Sequence, residues 1–188
     1  MRVTAGKKKG QKLKTASHKK VRPTSGRVRS ALFDILALDF NGLLVLDLFC
    51  GSGAVGIEAL SRGARKAVFV DSGRDAGKYI KLNLESLGLW EQARIMPKKA
   101  GAALKLLAAE EHKFDFVFMD PPYKSRETEK TLRLLNELGL LSEEAEIVVE
   151  HEADNPLDDT GDGIILYDRR KYGRTALSFY RKKEAGDP

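Results

Sequence analysis

Asp120-Pro121-Pro122-Tyr123 closes the apolar run Phe114-Asp115-Phe116-Val117-Phe118-Met119 and holds the residues best equipped for chemistry. A short apolar run of this kind predicts a buried strand. Two prolines directly after it must stop the sheet, because proline has no N–H to give a ladder. The stop leaves an acid, rigid carbonyls and an aromatic ring together at the carboxyl end of a strand, the edge where open α/β sheets bind ligands. Such a set suits a planar substrate with an exocyclic amine. Asp120 and a proline carbonyl accept its N–H groups, Pro121 and Pro122 fix the chain, and Tyr123 stacks on the ring.

A second chemical signal lies upstream in Leu43-Leu44-Val45-Leu46-Asp47-Leu48-Phe49-Cys50-Gly51-Ser52-Gly53-Ala54-Val55-Gly56. An apolar strand runs into a glycine-rich turn, where the backbone can approach a ligand closely. Gly51, Gly53 and Gly56 also spell the dinucleotide fingerprint G-x-G-x-x-G, so a nicotinamide cofactor is a rival reading. Asp71 ends the next apolar run and would hold ribose hydroxyls under either reading. Asp47 separates the two. A pyrophosphate has no use for a carboxylate just ahead of its glycines, whereas a cofactor with an amino group and a sulfonium does. The combination points to S-adenosylmethionine, with Asp47, Phe49, Gly51, Ser52 and Gly53 at its methionine end and Asp71 with Ser72 at its ribose.

The elements that position these residues follow from pattern. Strands are predicted around Leu44, Val68, Arg94, Val117 and Val148, and helices over Val55–Arg62, Ala76–Leu87, Ala102–Ala109 and Thr128–Leu138. A further helix is predicted from Thr24 or Ser25 through Val28, Ala31, Leu32, Ile35 and Leu36. The alternation implies βαβ units and a parallel sheet covered on both faces. Past Glu150 two β-rich runs, Ile164–Tyr172 and Thr175–Arg181, meet at Gly173. Strands so close in sequence must form a hairpin, expected at the sheet edge. The chain divides into a basic arm or hairpin over 1–23, with Gly6 and Gly10 as turn points, and one domain over 24–188.

Composition narrows the class. At 188 residues, 42% hydrophobic and 32% charged, the chain is long enough for one substantial core. No apolar run is long enough to cross a membrane, and a cytoplasmic setting is expected. The single Cys50 has no disulfide partner and is expected to pack in the glycine turn, and no metal site is expected. Eleven of the 33 Lys and Arg, and none of the 27 acids, lie in residues 1–33, so the rest of the chain is net acidic. A basic arm on an acidic body points to a polyanion. The candidate phosphate contacts are Lys7, Lys8, Lys9, Lys12, Arg22 and Arg27 from the arm, with Arg170 and Arg174 from the closing hairpin. The arm carries no core-forming periodicity and is expected to be dispensable for folding.

These motifs together resemble the bacterial 16S ribosomal RNA guanine-N2 methyltransferases, a branch of the class I S-adenosylmethionine-dependent enzymes. The resemblance covers nearly the full length. It rests on Gly6 and Gly10, Arg22-Pro23-Thr24 through Arg27-Val28-Arg29, Asp47-Leu48-Phe49-Cys50-Gly51-Ser52-Gly53, Asn83-Leu84-Glu85-Ser86-Leu87-Gly88, Asp120-Pro121-Pro122-Tyr123 and Lys171-Tyr172-Gly173. It implies a Rossmann-like, mostly parallel seven-stranded sheet in which a C-terminal hairpin puts one antiparallel strand between parallel neighbours. It also implies Arg22 and Thr24 near the cofactor, and 16S ribosomal RNA, naked or in an assembling small subunit, as partner of a monomeric enzyme. Two positions depart from the family: Gly26 replaces an acid, and Met96-Pro97-Lys98-Lys99-Ala100 lacks the acidic or amide side chain that meets the adenine amino group. A backbone acceptor is expected there instead. The alternatives are a DNA adenine-N6 methyltransferase, which shares Asp-Pro-Pro-Tyr, and a non-catalytic RNA-binding or ribosome-assembly factor on the same fold.

Overall fold

The computed structural model describes residues 1–15, 26–36, 38–122, 127–157 and 163–183, except the side chain of Arg27. Arg22, Thr24, Tyr123 and the expected start of the first helix lie outside these residues.

Apolar runs become strands where both parities are apolar. β1 (Leu44–Leu48) is buried along its whole length and β4 (Phe114–Met119) nearly so, because helices cover both faces of a parallel sheet. β2 is Lys66–Val70, β3 Ala93–Met96 and β5 Leu141–Glu152. The helices are α1 (Gly26–Leu36), α2 (Ala54–Ser61), α3 (Ala76–Leu87), α4 (Ala100–Ala109) and α5 (Glu127–Glu137). Gly88 stops α3 by taking the left-handed φ of 63° that a side chain resists.

Side-chain parity then sorts the layers. Leu44, Leu46 and Leu48 face a core built with Leu104 and Leu107 of α4 and Leu132 and Leu135 of α5. Val45 faces the opposite core, with Leu32 of α1, Ile57 of α2 and Ile80 and Leu84 of α3. Asp47 shares the parity of Val45 and so points toward α2, a charged group on an otherwise apolar row.

The seven strands run in the order β3-β2-β1-β4-β5-β7-β6, with β6 Ile164–Tyr172 and β7 Thr175–Lys182. β1 to β5 are parallel neighbours, and β7 is antiparallel to both β5 and β6. The closing hairpin therefore does not simply extend the edge: β7 inserts between β5 and β6. The chain moves outward from β1 to β3, then returns to the other side of β1 as β4. That reversal opens a crevice at the carboxyl ends of β1 and β4.

The amino-terminal arm corrects the expectation drawn from its composition. Residues 1–13 form a hairpin in which Val3 N–H donates to the Gln11 carbonyl (3.0 Å) and Leu13 N–H to that of Met1 (2.9 Å). Its two apolar residues are core residues, Val3 at 2% exposure and Leu13 at 5%. Gly6 lies so close to α2 that an added Cβ would fall 1.9 Å from the Ser61 carbonyl oxygen. The anchor is Glu58 of α2, completely buried. Its carboxylate accepts from Thr4 N–H (2.8 Å), Thr4 Oγ1 (2.7 Å) and Ala5 N–H (2.8 Å), and it pairs with Arg29 (3.5 Å) and Arg62 (3.3 Å). A buried carboxylate survives folding only when so matched.

Removing residues 1–15 therefore strips three donors from a buried charge and uncovers the core, and should destabilise the fold by about 3 kcal/mol or more. Urea unfolding of the truncated protein measures this, and Thr4→Val, which removes only the hydroxyl, should lose about 1 kcal/mol. Wild-type stability after truncation would return the arm to a dispensable tail.

Candidate active site

Asp47 lies at the carboxyl end of β1 with 1% exposure. One carboxylate oxygen, Oδ2, accepts the Gly56 N–H at 2.9 Å. Gly56 sits in the first turn of α2, where free N–H groups and the helix dipole favour an anion. The approach demands a glycine, since a Cβ there would lie 2.4 Å from the Phe69 ring and 3.2 Å from Asp47 Oδ2. The other oxygen, Oδ1, is buried and has no hydrogen-bond partner among the described residues. Burial pushes the carboxyl from its ordinary 3.8 up to about 8, the Gly56 bond pulls it partly back, and the Asp71 charge raises it further.

The turn that follows is bent to bring backbone to this acid. Phe49 takes a φ of 57°, uncommon for a side chain of its size, and Gly51 and Gly53 take 52° and 75°. Asp71, at the end of β2, holds the turn from the other side: Oδ2 accepts Gly51 N–H (2.8 Å) and Oδ1 accepts Gly73 N–H (2.6 Å). Each of its oxygens keeps a lone pair for a hydroxyl. Ser72 is exposed beside it. Cys50 packs into the turn with its N–H on the Val70 carbonyl (3.3 Å). Burial, with Asp47 and Asp71 nearby, pushes its thiol well above the ordinary range, which leaves it a poor nucleophile.

Asp120 completes the crevice. Its N–H donates to the Leu48 carbonyl at 3.3 Å, which places it across from Phe49 at the ends of adjacent central strands. Pro121 is buried and Pro122 exposed, so the chain turns outward at this point. Asp47, Phe49, Gly51, Ser52, Gly53, Asp71, Asp120 and Pro121 thus gather on one sheet edge. The departure at 97–99 lies on the same edge, past β3, with Pro97, Lys98 and Lys99 exposed. The candidate phosphate contacts divide. Arg170 and Arg174 lie toward the carboxyl edge on the closing hairpin, where Arg170 is already paired with Asp168 at 2.7 Å. Lys7 and Lys8 sit in the hairpin tip against the end of α2, toward the opposite edge.

Asn83 is a member of this site that carried no role in the sequence. It is fully buried on α3, donates to the Ser52 carbonyl (3.1 Å) and the Lys14 carbonyl (2.9 Å), and accepts Lys14 N–H (2.7 Å). One amide therefore ties the glycine turn to the root of the arm. The signal was present: Asn83 stands at a core position of α3, between Ile80 and Leu87 at helical spacing.

Charge decides what the crevice accepts. Two acids, one of them dry, half bonded and ready to ionise against a cation, leave a pyrophosphate without a partner and suit a ligand with a cationic end and a diol. S-adenosylmethionine, with a cationic methionine end and a ribose diol, fits that description.

Sheet order, the single inserted antiparallel strand and a ligand crevice at the reversal together define the Rossmann-like class I methyltransferase fold. An Escherichia coli methyltransferase candidate of known structure superposes with a TM-score of 0.85 at 34% identity, over 97% of this chain and 98% of that one. Residues 1–181 match the family model described as Conserved hypothetical protein 95. Ribosomal RNA small subunit methyltransferase D of Escherichia coli (strain K12) is 34% identical over 187 residues, covering 100% of this chain and 92% of that relative. A Bacillus subtilis (strain 168) relative named as a candidate rRNA methyltransferase is 38% identical over 183 residues, 97% of this chain and 100% of its own length. The chain belongs to this family of small-subunit ribosomal RNA methyltransferases.

The raised Asp47 carboxyl has a consequence for the free protein. Below pH 4 it is protonated whether folded or unfolded. As pH rises the unfolded chain ionises first, so Asp47's contribution to stability falls until pH passes about 8. Asp47→Asn should therefore gain about 2 kcal/mol or more over wild type between pH 4 and pH 8 in urea unfolding. A constant difference across that range would show that the carboxyl is not held in a dry site.

Proposed function

We propose that this protein transfers a methyl group from S-adenosylmethionine to the exocyclic N2 amine of a guanine in 16S ribosomal RNA. The observation that carries the reading is that Asp120, its N–H on the Leu48 carbonyl, stands at the strand end next to the Asp47 turn, an acid beside a crevice suited to a cationic cofactor. The family's small-subunit ribosomal RNA methyltransferases support the RNA class of substrate. The guanine target rests on the full set of motifs described above.

When bound, S-adenosylmethionine supplies an electrophilic methyl group on a sulfonium. The guanine amine is a poor nucleophile, because its lone pair is delocalised into the ring. Asp120 and the Pro121 carbonyl accept its two N–H groups, favour the pyramidal nitrogen and aim its lone pair toward the group to be transferred. S-adenosylmethionine, held by Asp47 and the Phe49–Gly53 turn, would supply the methyl carbon to that nitrogen and leave as the neutral thioether. The proton leaves through the Asp120 carboxylate to solvent. Tyr123 stacks on the extruded base, as enzymes acting on bases inside structured nucleic acid require. Asp47 and the Phe49–Gly53 turn fix the cofactor, so the protein contributes chiefly in-line positioning and electrostatics. Lys7, Lys8, Lys9, Lys12, Arg22, Arg27, Arg170 and Arg174 grip phosphates of the RNA, and Arg22 and Thr24 also approach the cofactor.

The DNA adenine-N6 alternative requires a device for reading a DNA sequence. Between the glycine turn and Asp120 the chain holds α2, β2, α3, a one-turn 3-10 helix (Trp90–Gln92), β3, α4 and β4 with short connections, which leaves no inserted recognition module. A purely non-catalytic binder has no use for a dry carboxylate with an open oxygen.

Incubation with labelled S-adenosylmethionine and undermethylated small-subunit RNA or particles, followed by mass spectrometry of the nucleosides, should yield N2-methylguanosine. Methyladenosine in DNA would overturn the reading. Asp120→Ala should leave cofactor affinity within about twofold while lowering methyl transfer by at least about 100-fold, since the side chain serves the acceptor. Equal loss of both would make Asp120 a structural residue.

A further inference from the structure

We propose that a second RNA-backbone docking site lies at the amino-terminal edge of the sheet, opposite the methyl-transfer crevice. The inference rests on the RNA methyltransferase reading and adds to it a place, a residue set and a minimum span for the substrate. A cavity of about 330 Å³ opens there between the tip of the arm, the end of α2 and the turn that leads from α3 into β3. Three cations line it: Lys7 and Lys8 from the arm, and Arg65 from the turn before β2. Gly88, Leu89 and Gln92 contribute much of the remainder, and no acidic side chain stands in the lining.

This grouping is built into the fold. Lys8 N–H donates to Ser61 Oγ at 2.9 Å, and Gly6 presses on the Ser61 carbonyl, so the hairpin tip cannot swing away without breaking the Glu58 anchor. Folding thus holds three positive side chains around one cavity. Their mutual repulsion is relieved when an anion enters. The neighbouring surface favours nucleic acid over a small anion. Trp90 lies in the turn between the lining residues Leu89 and Gln92, and its indole is 42% exposed with Lys81 Nζ 5.8 Å from the ring centre. An exposed ring next to a basic cavity, here with Lys81 over the ring and itself 3.8 Å from Glu85, is the arrangement on which proteins stack bases while gripping phosphates.

Position gives the site its consequence. Arg65 precedes β2 and Asp71 follows it, so the two sites are separated by the length of the strand, about 20 Å at the rise of a parallel strand. A single nucleotide in the crevice does not reach the second site. An RNA that engages both must be folded or extended over that span, which distinguishes the intended substrate from a free nucleoside or a very short oligonucleotide.

Trp90 is the only tryptophan of the chain and reports on this site directly. Titrating the full-length protein with a fragment of small-subunit ribosomal RNA should quench its emission. Arg65→Glu should raise the RNA dissociation constant at least fivefold and flatten the dependence of log affinity on log salt by about 0.7–0.9, one phosphate contact. Cofactor affinity by calorimetry should remain within twofold, which also shows that the variant is folded. RNA affinity and salt slope unchanged in Arg65→Glu would overturn the proposal, as would equal quenching by inorganic phosphate at the same concentration. Methyl transfer to RNA by the wild type separates the two readings: if it is present while Arg65→Glu binds RNA normally, only the second site fails.

Discussion

A carboxylate kept dry with one of its two oxygens unbonded is the constraint around which the rest of this molecule is arranged. Asp47 reaches that position because β1 is buried and side-chain parity turns it toward α2. Its one bond to Gly56 requires a glycine in the first turn of the helix, and that glycine is also what lets Phe69 pack against the same turn. Burial, with the Asp71 charge nearby and only the Gly56 bond to offset it, holds the Asp47 carboxyl up at about 8. Stability is given up at the site, and pairing with a positively charged ligand is the proposed return. The glycine turn, the second acid at Asp71 and the acceptor at Asp120 are arranged about that point.

Two further buried polar residues carry the architecture outward from it. Glu58 clamps the arm to α2, and Asn83 joins the arm's root to the glycine turn. The basic segment is therefore part of the same packed body as the cofactor crevice. The hairpin tip lies against the end of α2, and its root meets Asn83 beside the glycine turn. An RNA held by the arm would be held in register with the crevice, because both are fixed to α2 and α3.

Much of this was legible in the sequence because it depends on local pattern. The strands around Leu44, Val68 and Val117 and the helix Ala76–Leu87 follow from apolar parity and helical spacing, and the glycine turn and the Asp-Pro-Pro stop follow from backbone chemistry. The docking of the arm was not legible. Val3 and Leu13 are isolated among charges, and the Thr4–Glu58 bonds join residues 54 positions apart. The place of β7 followed from the family resemblance and not from local pattern, since a hairpin's own sequence does not state which of its strands meets β5. Asn83 could be seen as a polar residue in a core position, but not what it joins. Tyr123, Arg22 and Thr24 rest on sequence alone.

The most direct measurement is calorimetric titration of S-adenosylmethionine into wild type and Asp47→Asn at pH 7, repeated in buffers of different ionisation enthalpy. If the open oxygen of Asp47 takes the cationic methionine end, wild type binds with release of most of one proton, because the carboxyl must ionise from about 8 to pair with its ligand. Asp47→Asn then binds at least about 10-fold more weakly and releases none. Binding of equal strength in the two proteins, or no proton released by wild type, would contradict the account.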